Sequence, residues 1–522
     1  MLTKPSTISK GLPKDVISLC PECGKLIDAT VRDDNGRVVM EKECVDHGKF
    51  SDVVWSDTEM YLKAEDWARD GIGVENPAIT EAQSCPFDCG LCDLHLSHTA
   101  LANIDLTNRC NLRCPICFAN ANAAGYVFEP DIETITKMLR VLREERPVPT
   151  PAVQFSGGEP TIYPHFLDAI KKASTMGFVQ VQVATNGIRF SKEPEFLKAA
   201  AEAGLNSIYL QFDGLREDIY ISARGKPLLN IKQQVIENLR KFDPHPSVIL
   251  VPTLVRGIND DQVWPIVQFG LQNLDIIRGI NFQPVAFSGR ISQEEREHQR
   301  YTLSDLAIDI ERQSNGAIKR SDWYSVPVVS VVSDLVGAIV GKKYVTFTTH
   351  PHCGIATYIF VNKKDGKITP ITRFIDVTSL FREMRKLANW MEKHQGKFLS
   401  KFRVKLRAYK LLKNYIPKDN LPEGMNRRLF LKLLIGVFSD KTKTALAKFS
   451  WDMLLVSGMH FQDAYNYDVE RVMRCCIHYP TPDGRIIPFC AYNSGPVYRN
   501  EIEKKFSIPI EQWRRERGKE YT

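Results

Sequence analysis

The sequence predicts an α/β protein, a partial (β/α)6 TIM-like barrel carrying a rubredoxin-like or zinc-ribbon-like N-terminal module and auxiliary iron–sulfur segments. Three observations predict it. From Leu101 onward, apolar strand-like runs alternate six times with amphipathic helical ones. Short motifs rich in Gly, Asn and Asp fall just after successive strands. Thirteen cysteines collect in four groups, 20/23/44, 85/89/92, 110/114/117 and 353/475/476/490. Strands alternating with helices call for a parallel sheet covered by those helices, with sites at the C-terminal strand ends. The expected division is 1–75 for the ribbon, 76–100 for an auxiliary cluster segment, 101–330 for the barrel, and 331–522 for a basic helical region with a further cluster.

A chain of 522 residues, 43% apolar and 25% charged, has material for several cores and is not disordered. The opening MLTKPSTISKG has no apolar signal segment, and the longest apolar run, Val326 to Val340, is broken by Asp334. Neither a signal peptide nor a membrane span is predicted, and a cytoplasmic location with at most a peripheral membrane contact is expected. In that compartment cysteines serve metals rather than disulfides.

The first group reads Cys20-Pro-Glu-Cys23-Gly, followed by Cys44-Val-Asp-His47. Four ligands at this spacing make a closed, tetrahedral, structural site for Zn or mononuclear Fe. Asp34-Asn-Gly36 between them reads as a hairpin turn. An acidic helical stretch, Thr58 to Asp70, then leads to Cys85, Cys89 and Cys92 at C-x3-C-x2-C spacing. These three thiolates can hold a cluster whose fourth ligand is His95, His98 or a distant group, unless the site is open.

Cys110, Cys114 and Cys117 repeat the C-x3-C-x2-C spacing directly after the apolar run Leu101 to Thr107. A [4Fe–4S] cluster normally takes four cysteines, so three on one loop leave an iron open for chemistry. The alternative, a structural zinc knuckle, lacks a second ligand pair nearby. The preceding strand favours this loop over 85/89/92 as the catalytic one.

The six units run LANIDLT, helix Asp131 to Glu145; AVQFS, helix Tyr163 to Ser174; VQVQVAT, helix Pro194 to Ala203; SIYLQFD, helix Leu228 to Phe242; SVILVPTLV, helix Asp261 to Leu271; and GINFQPV, helix Leu303 to Arg312. After the second strand stands Ser156-Gly-Gly-Glu-Pro160, after the third Thr185-Asn186-Gly, and after the fourth Gln211-Phe-Asp213-Gly, with Arg224 eleven residues beyond Asp213. Each alone reads as a turn. Together, behind a C-x3-C-x2-C loop, they resemble the core of the radical S-adenosylmethionine (SAM) superfamily.

That resemblance implies a cluster on Cys110, Cys114 and Cys117 that binds SAM and reduces it to a 5′-deoxyadenosyl radical, the hydrogen-abstracting species. It implies that Gly157, Gly158 and Glu159 hold the methionine amino group, that Thr185 and Asn186 lie near the ribose, and that Gln211, Asp213 and Gln283 line the site. Arg224 would pair with the carboxylate, which a guanidinium matches in bidentate geometry. A low-potential donor, ferredoxin- or flavodoxin-like, would supply the electron.

Beyond Val340 the alternation ends. Between Arg382 and Lys448 eighteen Lys/Arg face five Asp/Glu, a net +13 in a chain of net +7, so the positive charge is local. Interleaved with Leu, Phe and Ile, it reads as a membrane- or phosphate-facing surface or as a solvated helical face; nucleic acid is not the expected partner. Cys475, Cys476 and Cys490 then bracket a turn at Asp483-Gly484, and Cys353 is the remaining cysteine able to complete an auxiliary cluster. Adjacent Cys475 and Cys476 make joint ligation awkward. About three [4Fe–4S] clusters and one mononuclear metal are expected.

The C-x2-C…C-x2-H knuckle, the doubled C-x3-C-x2-C and the tail C-C-x-H-Y…D-G-R…P-F-C-A-Y-N resemble the archaeal tetraether lipid synthases. The resemblance implies a carbon–carbon bond between terminal methyl groups of archaeal glycerol phospholipids. Two other readings stand beside it. A radical SAM enzyme on a peptide or small metabolite shares the core without needing the basic region, and a non-catalytic iron–sulfur protein would need neither the Gly-Gly-Glu motif nor Arg224.

Overall fold

The computed structural model describes residues 8–289, 291–292, 294–362, 366–394, 406–408, 410–411, 413–415, 453–495 and 497–517. Strands Lys14–Leu19, Leu26–Asp34, Arg37–Cys44 and Gly48–Trp55 form an antiparallel sheet in chain order. Asn35 and Gly36 turn its central hairpin with φ of 53° and 84°, the left-handed pair a two-residue loop requires.

The six barrel strands are Leu101–Thr107, Ala152–Gly157, Gln180–Thr185, Ser207–Gln211, Ser247–Val251 and Ile277–Pro284, each parallel to the next. Period-two alternation decides their faces. Ala102, Ile104, Leu106, Val153, Phe155, Val181, Val183, Ile208 and Leu210 enter the main apolar core. On the opposite face amides bond across strands, Gln182 Nε2 to Gln154 Oε1 at 2.8 Å and Gln154 Nε2 to Asn103 Oδ1 at 3.0 Å. The predicted α/β barrel with its N-terminal ribbon is the fold observed.

The sheet also runs across position 330, where the sequence suggested a boundary. Met453–Met459 pairs parallel to Ile277–Pro284, and Ile477–Pro480 pairs parallel to Leu101–Thr107 at the other edge. Gly354–Val361 then adds antiparallel to Met453–Met459. A six-stranded arc leaves two edges of unpaired N–H and C=O groups, and the C-terminal chain covers both.

Most of the basic segment 382–448 lies outside the described residues. Its described start, in helix Val377–Lys393, buries Leu380, Met384, Leu387 and Met391 and packs with helix Ser330–Val340. No helix of the described residues is long and apolar enough to cross a membrane.

Candidate active site and metal centres

The loop 110–117 leaves the C-terminal end of the first barrel strand and is closed by Asn122. Asn122 Oδ1 accepts from Cys110 N at 3.0 Å, and its Nδ2 donates to the carbonyls of Cys110 (2.7 Å) and Leu112 (3.1 Å). Leu112 N donates to Cys110 Sγ at 3.4 Å, a contact suited to a thiolate. Before the loop, Arg109 is clamped by Glu129 at 2.7 and 3.0 Å and covers the Trp513 ring at 4.5 Å. Burial, then Glu159, then Cys114 and Cys117 push the Cys110 thiol up. Cys110, Cys114 and Cys117 pack on one small apolar cluster with Leu112, Tyr220 and Leu228, so the three sulfurs are gathered on one side of the loop, and a metal binds such ligands as thiolates.

The Gly-Gly-Glu motif docks onto this loop through its backbone. Gly158 N donates to Thr107 O at 2.7 Å, and Glu159 N to Arg109 O at 2.8 Å. A Cβ on Gly157, whose φ is 130°, would lie 2.2 Å from Thr107 O, and one on Gly158 would lie 2.1 Å from Arg109 O. Glycine is required for that approach. Glu159 is buried and accepts from Thr161 N (3.2 Å), Thr161 Oγ1 (2.5 Å), Thr185 Oγ1 (2.7 Å) and Asn186 N (2.9 Å). It thus ties the second and third strand ends together. Asn186 Nδ2 reaches Asn111 Oδ1 on the cysteine loop at 2.7 Å.

Arg224 is buried, and its planar fork is taken by Asp213 at 2.7 Å through both Nε and Nη2, with Thr253 Oγ1 at 3.0 Å. Burial opposes its charge, yet Asp213 holds its pKa above the ordinary value. Gln283 N donates to Pro252 O at 2.8 Å, keeping the last strand in register beside Thr253. Gln211 Oε1 accepts at 3.2 Å from Lys232 Nζ, which also donates to Asn186 O at 2.5 Å. Lys232 is fully buried, and burial lowers its pKa to about 8.

In the ribbon the ligand atoms of Cys20, Cys23, Cys44 and His47 all lie within 4.8 Å of one another. Cys20 Sγ and Cys44 Sγ are 3.7 and 3.5 Å from His47 Nδ1. This spacing fits one tetrahedral ion. Among the described residues no other His/Cys/Asp/Glu set is drawn so close, and a four-iron cluster spreads its thiolates because each binds a different iron.

Cys85, Cys89 and Cys92 are buried together, with Tyr498 OH accepting from Cys89 N at 2.9 Å and donating to Pro86 O at 2.7 Å. Burial, then Cys89, pushes the Cys92 thiol up to about 11. His95 faces the fourth group: its Nε2 is 2.8 Å from Cys475 O and 3.1 Å from His478 Nε2. His98 Nε2 instead accepts from Thr346 N. In the fourth group Gln462 N donates to Cys490 Sγ at 3.5 Å, and Cys475 packs against the apolar cluster that contains Cys490.

Sequence reasoning missed Asn122, Gly289 and Lys232. A Cβ on Gly289 would lie 2.5 Å from Cys117 O, so the loop after the sixth strand is pressed against the cysteine loop. Lys232 did leave a signal, a lysine in the apolar stripe Leu229, Val235, Ile236 and Leu239 of its helix.

A three-cysteine loop on the first strand of a (β/α)6 barrel, gripped by a Gly-Gly-Glu turn, defines a radical SAM enzyme. The Radical SAM superfamily model matches residues 104–270, and the model of the HMPTM N-terminal zinc ribbon domain matches 12–56. Such an enzyme uses a [4Fe–4S] cluster, SAM and a reductant, and the ribbon adds a mononuclear metal. The 7,8-dihydro-6-hydroxymethylpterin dimethyltransferase of Methanocaldococcus jannaschii is 48% identical over 510 residues, 97% of each chain. The chain belongs to the family of that dimethyltransferase. A GTP 3′,8-cyclase of Syntrophomonas wolfei is 29% identical over 37% of this chain and 58% of its own. The crystal structure of Streptococcus suis SuiB bound to S-adenosylmethionine is 17% identical, covering 42% of this chain and 48% of that one with a TM-score of 0.32. The expected lipid substrate finds no support in these relatives.

Proposed function

We propose that the protein is a radical SAM methyltransferase acting on a reduced, hydroxymethyl-bearing pterin. The observation that carries this substrate is the 48% identity, over 97% of each chain, with a relative of that activity. In this reading Cys110, Cys114 and Cys117 ligate the cluster, while Gly157, Gly158, Glu159, Thr185, Asn186, Gln211, Asp213, Arg224 and Gln283 build the SAM site. The bound cluster and SAM supply an oxidant able to take hydrogen from an unactivated carbon. Because Asp213 occupies the Arg224 fork, Arg224 meets a ligand carboxylate through another edge or by exchanging Asp213. Cys85, Cys89 and Cys92, and Cys353, Cys475, Cys476 and Cys490, hold auxiliary clusters, and a low-potential ferredoxin- or flavodoxin-like donor provides electrons.

A second reading keeps carbon–carbon bond formation between the isoprenoid chains of archaeal phospholipids. Its support is the net +13 between Arg382 and Lys448, which suits anionic headgroups at about 1 kcal/mol per basic residue. SAM cleaved to the radical leaves its methyl group on methionine, so the test is anaerobic turnover with SAM, a reductant and a separate one-carbon donor (a second equivalent of SAM, or a methylene-bearing reduced pterin), offered 7,8-dihydro-6-hydroxymethylpterin in one arm and archaeal phospholipid vesicles in the other. A methylated pterin by mass spectrometry is the expected product. Joined lipid chains without pterin product replace the first reading by the second. If a variant with Cys110, Cys114 and Cys117 all changed to Ala still forms 5′-deoxyadenosine, the loop is misassigned.

A further inference from the structure

Arg471 lies in the short helix Val469–Met473 and is 3% exposed. Its Nε donates to Cys353 Sγ at 3.4 Å, and its Nη2 donates to His460 O at 2.7 Å. His460 N in turn donates to Cys353 O at 3.0 Å, so guanidinium and cysteine are fixed to one loop. The charge also neighbours Cys490, whose sulfur already accepts from Gln462 N. Among the described residues no carboxylate comes within ion-pair distance of Arg471, and the buried Asp468 attracts it only from farther off. A buried cation this weakly balanced is costly. Neutral thiols cannot balance it, whereas metal-held thiolates can.

We propose that Arg471 is a positioning residue of an auxiliary iron–sulfur centre on the 353/475/476/490 cysteines, and that it raises the reduction potential of that centre. This rests on reading those cysteines as cluster ligands. Hydrogen bonds to the sulfurs and the net charge around a cluster set its potential, and a fixed positive charge favours the reduced state. Arg471 supplies both through one side chain. It also orients Cys353, the ligand most distant in sequence from the other three.

The test is a potentiometric titration followed by electron paramagnetic resonance on the anaerobically reconstituted full chain, comparing wild type, Arg471→Lys and Arg471→Met. Iron and sulfide contents are measured on the same samples. The expected result is one centre whose midpoint shifts downward in Arg471→Met and less in Arg471→Lys, while the Cys110–Cys117 centre keeps its midpoint. Arg471→Lys keeps the charge and loses the fork, so it remains informative if Arg471→Met fails to load. Unchanged midpoints at unchanged iron content overturn the role of Arg471. A wild-type chain with about four irons, the content of one [4Fe–4S] cluster, overturns the underlying ligand reading, and the proposal with it.

Discussion

Replacing Gly158 by Ala places a methyl carbon 2.1 Å from Arg109 O, 2.6 Å from Arg109 C and 3.0 Å from Asn108 O. All three are backbone atoms at the root of the cysteine loop, so no side chain can swing aside. Ordinary contact requires the loop and the Gly-Gly-Glu turn to separate by about 1 Å, and overpacking of this kind costs about 1–3 kcal/mol. The same separation stretches Gly158 N to Thr107 O and Glu159 N to Arg109 O, now 2.7 and 2.8 Å. A 1 Å misplacement of reacting groups costs about a hundredfold in rate. We therefore expect Gly158→Ala to fold and bind iron, yet to cleave SAM under dithionite about a hundredfold more slowly. The assay is 5′-deoxyadenosine release per reconstituted cluster, with a thermal melt on the same protein. Wild-type cleavage in a protein with a wild-type melt would refute the claim that the motif grips the cysteine loop.

Two further outcomes follow from buried charges. Arg300 joins Asp52 of the ribbon, at 3.2 Å, to Asp463, at 2.7 Å, and Asp463 accepts from Phe287 N near the loop that Gly289 presses onto Cys117. Arg300→Met strands Asp463 without its cation and should destabilise the fold by about 3–5 kcal/mol in denaturant titration, whereas a loss below about 1 kcal/mol would show the network to be dispensable. Lys232 titrates near 8 when folded and near 10.4 when unfolded, chiefly through burial. Between those values the unfolded chain holds the extra proton, so stability rises with pH, by on the order of 3 kcal/mol across the window. Buried thiols held above their ordinary range pull stability the other way over the same pH window, so the readout is a difference: in denaturant titrations at pH 8 and 10 the stability of wild type relative to Lys232→Met should rise by that amount.

What could be read in the sequence was local. Gly157, Gly158 and Glu159 are adjacent, their strand precedes them, and the close approach they allow follows from the absence of a Cβ. The ribbon site was legible for the same reason, with two ligand pairs each inside one turn. Arg300 and Asp463 are 163 residues apart, and each alone reads as a surface charge until the fold buries both. The edge strands Met453–Met459 and Ile477–Pro480 escaped because neither belongs to a βα repeat; the open edges of the six-stranded arc recruit them. Arg224 marks the boundary most clearly. The resemblance to the radical SAM core put its guanidinium at the site, yet the structure gives its fork to Asp213 rather than leaving it for a ligand. Substrate identity lies further beyond local pattern. Cysteine loop, glycine turn and buried charges generate the same oxidant for a pterin as for a lipid chain. Only groups gathered from distant parts of the chain around the reacting carbon can separate the two.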